Sequence, residues 1–198
     1  MRYFRGPCLF PRSIVLLKIS VLCILFSLLV ALPSIFAKEP IRTITGTVTK
    51  VSDGDTFTVH TSEETKLKIR LYGIDAPEVV RLNKQTGHIS KLGQPMGEKA
   101  RLYLLSKVLG KRVCLYVMDI DRYRRLVCIV WLGDTNINLE MIKTGMAEAY
   151  REYLKDQPYK KQFVQAEMEA KANKLGIWSG DNYERPRDFR EKMRIRGE

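Results

Sequence analysis

At 198 residues the chain has room for one domain plus an appendage, but not for several domains. Hydrophobic residues at 45% and charged residues at 28% exclude a disordered polymer and allow a buried core. The net charge of +12 points to a polyanionic partner (nucleic acid, acidic lipid or acidic glycan) unless it serves solubility alone.

The first segment is a leader. Arg2, Arg5, Arg12 and Lys18 precede an uncharged run from Ile19 to Leu32, and "PSIFA" leads into the polar Lys38-Glu39-Pro40. A basic stretch, an apolar stretch and a cut after Ala37 spell a secretory signal over residues 1–37. The alternative is a retained membrane anchor through residues 13–37, although Pro33 interrupts it. Either reading exports the rest of the chain. All 22 acidic residues and 30 of the 34 basic ones lie beyond the leader, so the remainder still carries +8. It also keeps two cysteines, Cys114 and Cys128, which either pair in an exported protein or sit as small core residues.

Residues 43–51 alternate as a first strand. Residues 55–61 and 66–74 give a second and a third, joined by the turn "SEET". Residues 79–95 show no period and form a long loop carrying Arg81, Lys84, His88 and Lys91; such loops are usually functional. Pro95 opens a helix with Ala100, Leu104 and Val108 on one face, ended by Gly110. Residues 113–118 and 126–131 are two apolar strands around "DIDRYRR". A short helix follows near 139–144. A longer one begins after Asp156 as N-cap, with Tyr159, Phe163, Ala166 and Ala170 aligned. The segment 180–198 is a charged tail, partly extended. Five strands with a helix between the third and fourth predict a mainly β fold: a five-stranded oligonucleotide/oligosaccharide-binding (OB) barrel with three helices. The domain spans 38–179.

The carboxylates carry the chemistry. Asp53 and Asp55 close the first hairpin in "VSDGDT". If the first three strands form a meander, Asp55 approaches Asp75, and Glu78 sits one short turn away. Each acid alone is an ordinary turn former. Three converging in a basic protein need a cation, and an oxygen-only set suits Ca²⁺ or Mg²⁺ rather than zinc. Arg70 lies on the strand between the two acidic motifs, and Arg122, Arg124 and Arg125 follow at a hairpin tip.

At "VSDGDT", "IRLYGIDAPE", "DRYRR" and "GIWSG" the chain resembles the thermonuclease family, the staphylococcal-nuclease-like phosphodiesterases. Four motifs in order cover most of residues 43–179. The resemblance implies the same barrel and Ca²⁺-dependent endonuclease cleavage of DNA and/or RNA to 3′-phosphate products. It implies metal ligation by Asp55, Asp75 and the Ala76 carbonyl, with Asp53 in support. Glu78 falls at the general base, and Arg70 and Arg125 at the phosphate-binding arginines. Arg122, Tyr123, Tyr150 and Tyr153 fall where the family contacts the nucleotide. One departure stands out: Arg124 replaces the family's Gly, so the aim of Arg125 depends on whether Arg124 accepts a positive φ. A monomer with no stable protein partner is expected. The alternative function is a non-catalytic OB-fold nucleic-acid-binding module, which would be expected to lose the carboxylates.

Overall fold

A computed structural model describes residues 40–154 and 159–197. The leader and the expected N-cap Asp156 lie outside the described residues. In chain order the elements are β1 (Arg42–Asp53), β2 (Thr56–His60), β3 (Lys66–Leu71), β4 (Ile74–Asp75), β5 (Arg81–Leu82), β6 (Ile89–Lys91) and α1 (Gly97–Val108). There follow β7 (Arg112–Ile120), β8 (Leu126–Leu132), β9 (Thr135–Asn136), α2 (Ile137–Lys143), β10 (Glu148–Ala149), α3 (Tyr159–Ala172), a 3₁₀ turn (Gly176–Trp178) and α4 (Pro186–Arg196).

β1, β2 and β3 form an antiparallel meander, β1 also pairs with β7, and β7 with β8. A parallel pairing of β3 with β8 closes the sheet into the five-stranded barrel. Alternation supplies its interior: Phe57 and Val59, Ile69 and Leu71, and Val113, Leu115 and Val117 are all buried. Ala100, Leu104 and Val108 of α1 complete that core, as their spacing predicts. Phe163, Ala166 and Ala170 of α3 are likewise buried. Buried Asn138 of α2 ties the helical layer to the barrel. Its amide accepts from Val130 N (2.9 Å) and donates to Tyr72 O (2.9 Å) and Cys128 O (3.0 Å).

Three expectations change. The described residues hold four helices rather than three. The tail is extended only in the short stretch leading to Arg185; the rest forms α4, which Pro186 opens and whose Phe189 and Met193, one turn apart, are buried. The 79–95 loop contains the small β5–β6 hairpin, pairing Arg81 with Lys91 and Leu82 with Ile89. Cys114 and Cys128 are free. Cys114 opposes Trp131 while Cys128 opposes Val117, so the two thiols sit on opposite faces of the β7–β8 ladder. Burial pushes the Cys128 thiol up to about 12.

Candidate active site

The meander registers Thr56 against Arg70, and Leu71 N donates to Asp55 O at 2.9 Å. The start of β2 therefore lies against the end of β3, and the chain turns through β4 to bring Asp75 beside Asp55. Gly54 makes this approach possible: a Cβ there would lie 2.8 Å from the Cβ atoms of both Ala76 and Ala100. Asp55 and Asp75 are 2% and 0% exposed, and Glu78 8%. One guanidinium joins the first two. Arg70 Nη1 lies 2.6 Å from Asp55 Oδ2, and Arg70 Nη2 lies 2.7 Å from Asp75 Oδ1. Asp55 is further held by the Ala76 N–H (3.1 Å) and the Thr56 hydroxyl (2.9 Å).

Asp53 accepts from Val79 N at 3.3 Å and pairs with Arg81. Glu78 pairs with Lys91 of β6 and with Arg190 of α4, the latter at 2.9 Å. The β5–β6 hairpin is thus drawn back onto the acids by Arg81 and Lys91. Its exposed apolar residues Leu82 and Ile89 do not anchor it in the core. The Glu78 backbone is fixed by Gln94, which donates its N–H to Glu78 O (2.8 Å) and accepts Glu78 N (3.2 Å) on its side chain.

Gly97 packs directly on this segment. A Cβ at Gly97 would stand 2.1 Å from Glu78 O. Gly97→Ala is expected to displace Glu78 and slow cleavage roughly tenfold or more, since small misplacements of reacting groups are costly. The rate should fall further than any small drop in melting temperature explains, and an unchanged rate would show that this backbone position is not critical.

The electrostatics are those of crowded carboxylates. Burial pushes the Asp55 carboxyl up; Arg70 opposes this, while Asp75, Asp53 and Glu78 reinforce it. Burial also pushes Glu78 up, but Lys91 and Arg190 outweigh it and hold that carboxyl below the usual range. Among the described residues no set of three acidic, His or Cys side chains is arranged to hold a metal ion. Four carboxylates here are matched by Arg70, Arg81, Lys91 and Arg190, so the cation that their convergence demands is supplied by the chain's own side chains.

The donor chemistry nevertheless suits a hard cation. Asp55 and Asp75 converge to within the width of one guanidinium, offer only oxygen, and leave Asp55 with its carboxyl raised despite Arg70.

Arg125 approaches from the neighbouring hairpin, because β3 and β8 register Ile69 beside Leu126. Its Nη1 lies 3.5 Å from Thr56 Oγ1, which in turn bonds Asp55. Arg124 adopts φ 61°, so the turn requires the left-handed conformation, and Arg here takes it. Asp121 holds the turn closed: its carboxylate accepts Tyr123 N (2.9 Å) and Arg125 N (3.0 Å) and pairs with Arg125 Nε at 2.7 Å.

Tyr123 is 64% exposed, with the guanidiniums of Arg122 and Arg125 at 4.9 and 5.4 Å from its ring centre. Tyr150 follows β10, whose Glu148 pairs with Asp75, and its ring centre is 4.7 Å from that of the exposed Tyr153. Every residue singled out from the sequence therefore lies in the acid cluster, on the hairpin tip or on the strand exit after β10. Sequence reasoning misses Thr56, Asp121 and Arg190, and it names Lys91 only as one of the basic residues of the 79–95 loop. Thr56 and Asp121 sit inside or beside the acidic and arginine motifs and are legible there; Arg190 is not.

Residues 68–180 match the family model described as staphylococcal nuclease homologue. The chain belongs to that family. An uncharacterized endonuclease of Haemophilus influenzae is 37% identical over 148 residues, covering 75% of this chain and 74% of that protein. A probable endonuclease, lcl3, of Sclerotinia sclerotiorum is 32% identical over 191 residues, covering 81% and 69%. Endonuclease Htp3 of Saprolegnia parasitica is 30% identical over 172 residues, covering 76% and 77%. As a member of the staphylococcal nuclease family, the chain is a nuclease, a hydrolase acting on nucleic acid, built on the OB barrel of that family. The matched span contains Arg70, Asp75, Glu78 and Arg125, and Asp53 and Asp55 lie shortly before it.

Proposed function

We propose that this nuclease is a Ca²⁺-dependent endonuclease that hydrolyses phosphodiester bonds of DNA and/or RNA and leaves 3′-phosphate ends. The observation that carries this reading is the convergence of two buried carboxylates on a single cationic group, with a third carboxylate beside them. Asp55, Asp75 and the Ala76 carbonyl would hold the ion, and Asp53 supports them. Ala76 has no hydroxyl, and a backbone carbonyl needs none. When bound, the ion supplies neutralisation of charge on a phosphoryl oxygen.

The remaining steps belong to side chains. Glu78, whose carboxyl is held below the usual range with Lys91 as the leading cationic cause, takes a proton from the attacking water. The water oxygen bonds to phosphorus as the bond from phosphorus to the 5′ oxygen breaks. The phosphate stays on the 3′ side, and the 5′ oxygen leaves as an alcohol after protonation from solvent. Arg70 and Arg125 grip the phosphate and stabilise the added negative charge of the transition state. Their very high pKa makes them poor proton donors, so this role is electrostatic. Arg122, Tyr123, Tyr150 and Tyr153 offer cations and ring faces to the nucleotide. The leader over residues 1–37 supports export, with anchoring through residues 13–37 as the alternative, and monomeric action fits a site built from one chain.

The test is to digest plasmid, single-stranded DNA and RNA and then analyse the ends. Fragments should carry 3′-phosphate and 5′-hydroxyl, so that a polymerase extends them only after phosphatase treatment. Ends extendable without phosphatase would contradict the proposed bond cleavage.

A further inference from the structure

The C-terminal segment runs along the acid cluster and is fastened at several points. The Tyr183 hydroxyl donates to Glu148 at 2.7 Å, and Arg185 pairs with Glu148 at 3.0 Å and with Glu152 at 3.2 Å. Arg187 pairs with Glu152 at 2.9 Å, and the Gln94 amide donates to Glu184 O at 2.9 Å. Phe189 and Met193 bury the inner face of α4. Between them Arg190 reaches into the active site. Its Nη2 lies 2.8 Å from Asp75 Oδ2, and its Nη1 lies 3.1 Å from Asp75 Oδ1 and 2.9 Å from Glu78 Oε1.

Asp75 thus accepts three guanidinium N–H groups: Oδ1 is shared by Arg70 and Arg190, and Oδ2 accepts from Arg190. A cation seated on Oδ2, or a water on Glu78 Oε1, would have to compete with Arg190 for those oxygens. A guanidinium held this way is a +1 group occupying the lone pairs that a divalent ion and the attacking water both require. Without it Asp75 keeps only Arg70 and Glu78 keeps only Lys91, so each buried carboxylate loses one of its two cationic partners and Arg190 leaves more readily when another cation takes its place.

We propose that Arg190 is a resident counter-cation that competes with the metal ion for Asp75 and Glu78, so that α4 is an autoinhibitory strap which metal binding releases. This rests on the reading of Asp55 and Asp75 as ion ligands. Arg190 then protects the acids from one another in the resting protein, and cleavage begins only where Ca²⁺ is abundant enough to displace it.

The experiment is calorimetric titration of the purified protein with Ca²⁺, without nucleic acid, for the parent, Arg190→Gln, Arg190→Lys and Arg187→Gln. Arg190→Gln should bind Ca²⁺ about tenfold more tightly or better, a coupling of ordinary size for linked sites. Arg190→Lys keeps the charge but loses the two-pronged grip, and should fall between. Arg187 pairs with Glu152, away from the acid cluster, so its variant should match the parent. In the parent, Ca²⁺ should also speed amide exchange across residues 186–196. Equal or weaker Ca²⁺ affinity in Arg190→Gln, equal tightening in Arg187→Gln, or unchanged exchange in α4 would each overturn the strap. If neither the parent nor Arg190→Gln binds Ca²⁺, the ion-binding reading itself fails and takes the strap with it. Binding by the parent with no gain in the variant sinks the strap alone.

Discussion

Glu78→Gln should lower the cleavage rate by about 10²–10⁴-fold, the loss typical of removing a general base. Folding should survive, because the backbone at Glu78 is fixed by Gln94 from both directions and by the close approach of Gly97, and the side chain has no packing role that Gln cannot fill. Arg190 and Lys91 donate to different oxygens of Glu78, so Gln keeps an acceptor for one of them, and it cannot take a proton from water as a carboxylate does. Burial alone would push the Glu78 carboxyl up; the two cations beside it outweigh that and hold it below the usual range. Circular dichroism should match the parent, with at most a modest drop in melting temperature from the weakened pairing to Lys91 and Arg190, while the single-turnover cleavage rate collapses. A Gln variant that cleaves within a few-fold of the parent would remove Glu78 from the chemistry.

Asp55→Asn should be nearly as damaging at low Ca²⁺ but differ in kind. Its carboxylate is one of the two that converge on Arg70, so Asn removes a formal charge from the ion's own ligands. Losing even an outer-shell partner of a metal typically costs ~10–100-fold in affinity, and a direct ligand should cost at least that. Part of the defect should return as Ca²⁺ is raised, because the remaining ligands and the base are intact. The measurement is the Ca²⁺ concentration giving half-maximal rate. A midpoint equal to the parent's would mean that Asp55 is not a ligand.

Much of this site is legible in the sequence because its geometry follows from strand register. Alternation at Phe57, Val59, Ile69 and Leu71 fixes which faces of β2 and β3 point inward, and that meander sets Asp55 beside Asp75. The helical spacing of Ala100, Leu104 and Val108 is equally local. What stays hidden depends on contacts that no period announces. α4 buries only Phe189 and Met193 beyond its opening Pro186, a stripe too thin among many charges to separate from a solvated tail. Arg190 lies 115 residues from Asp75 in the chain, and nothing near either one signals the pair. The β5–β6 hairpin is held back by Arg81 and Lys91 on acids elsewhere rather than by alternating apolar residues, so residues 79–95 show no strand pattern. The φ of Arg124 is set by a turn that Asp121 ties; the Arg itself carries no sign of a left-handed backbone, and only the Gly of the resembling family raises the question.

The central claim is that Asp55 and Asp75 hold a calcium ion while Glu78 moves the proton, and a Ca²⁺ titration of the cleavage rate tests it most directly. Parent, Asp55→Asn and Glu78→Gln are compared from excess chelator to saturating Ca²⁺. The expected pattern is no cleavage by the parent in chelator and full recovery with Ca²⁺. Asp55→Asn should show a shifted midpoint with partial recovery, and Glu78→Gln should stay low at every concentration. A parent that cleaves at full rate in excess chelator, or a Glu78→Gln variant restored by Ca²⁺ as fully as Asp55→Asn, would contradict it.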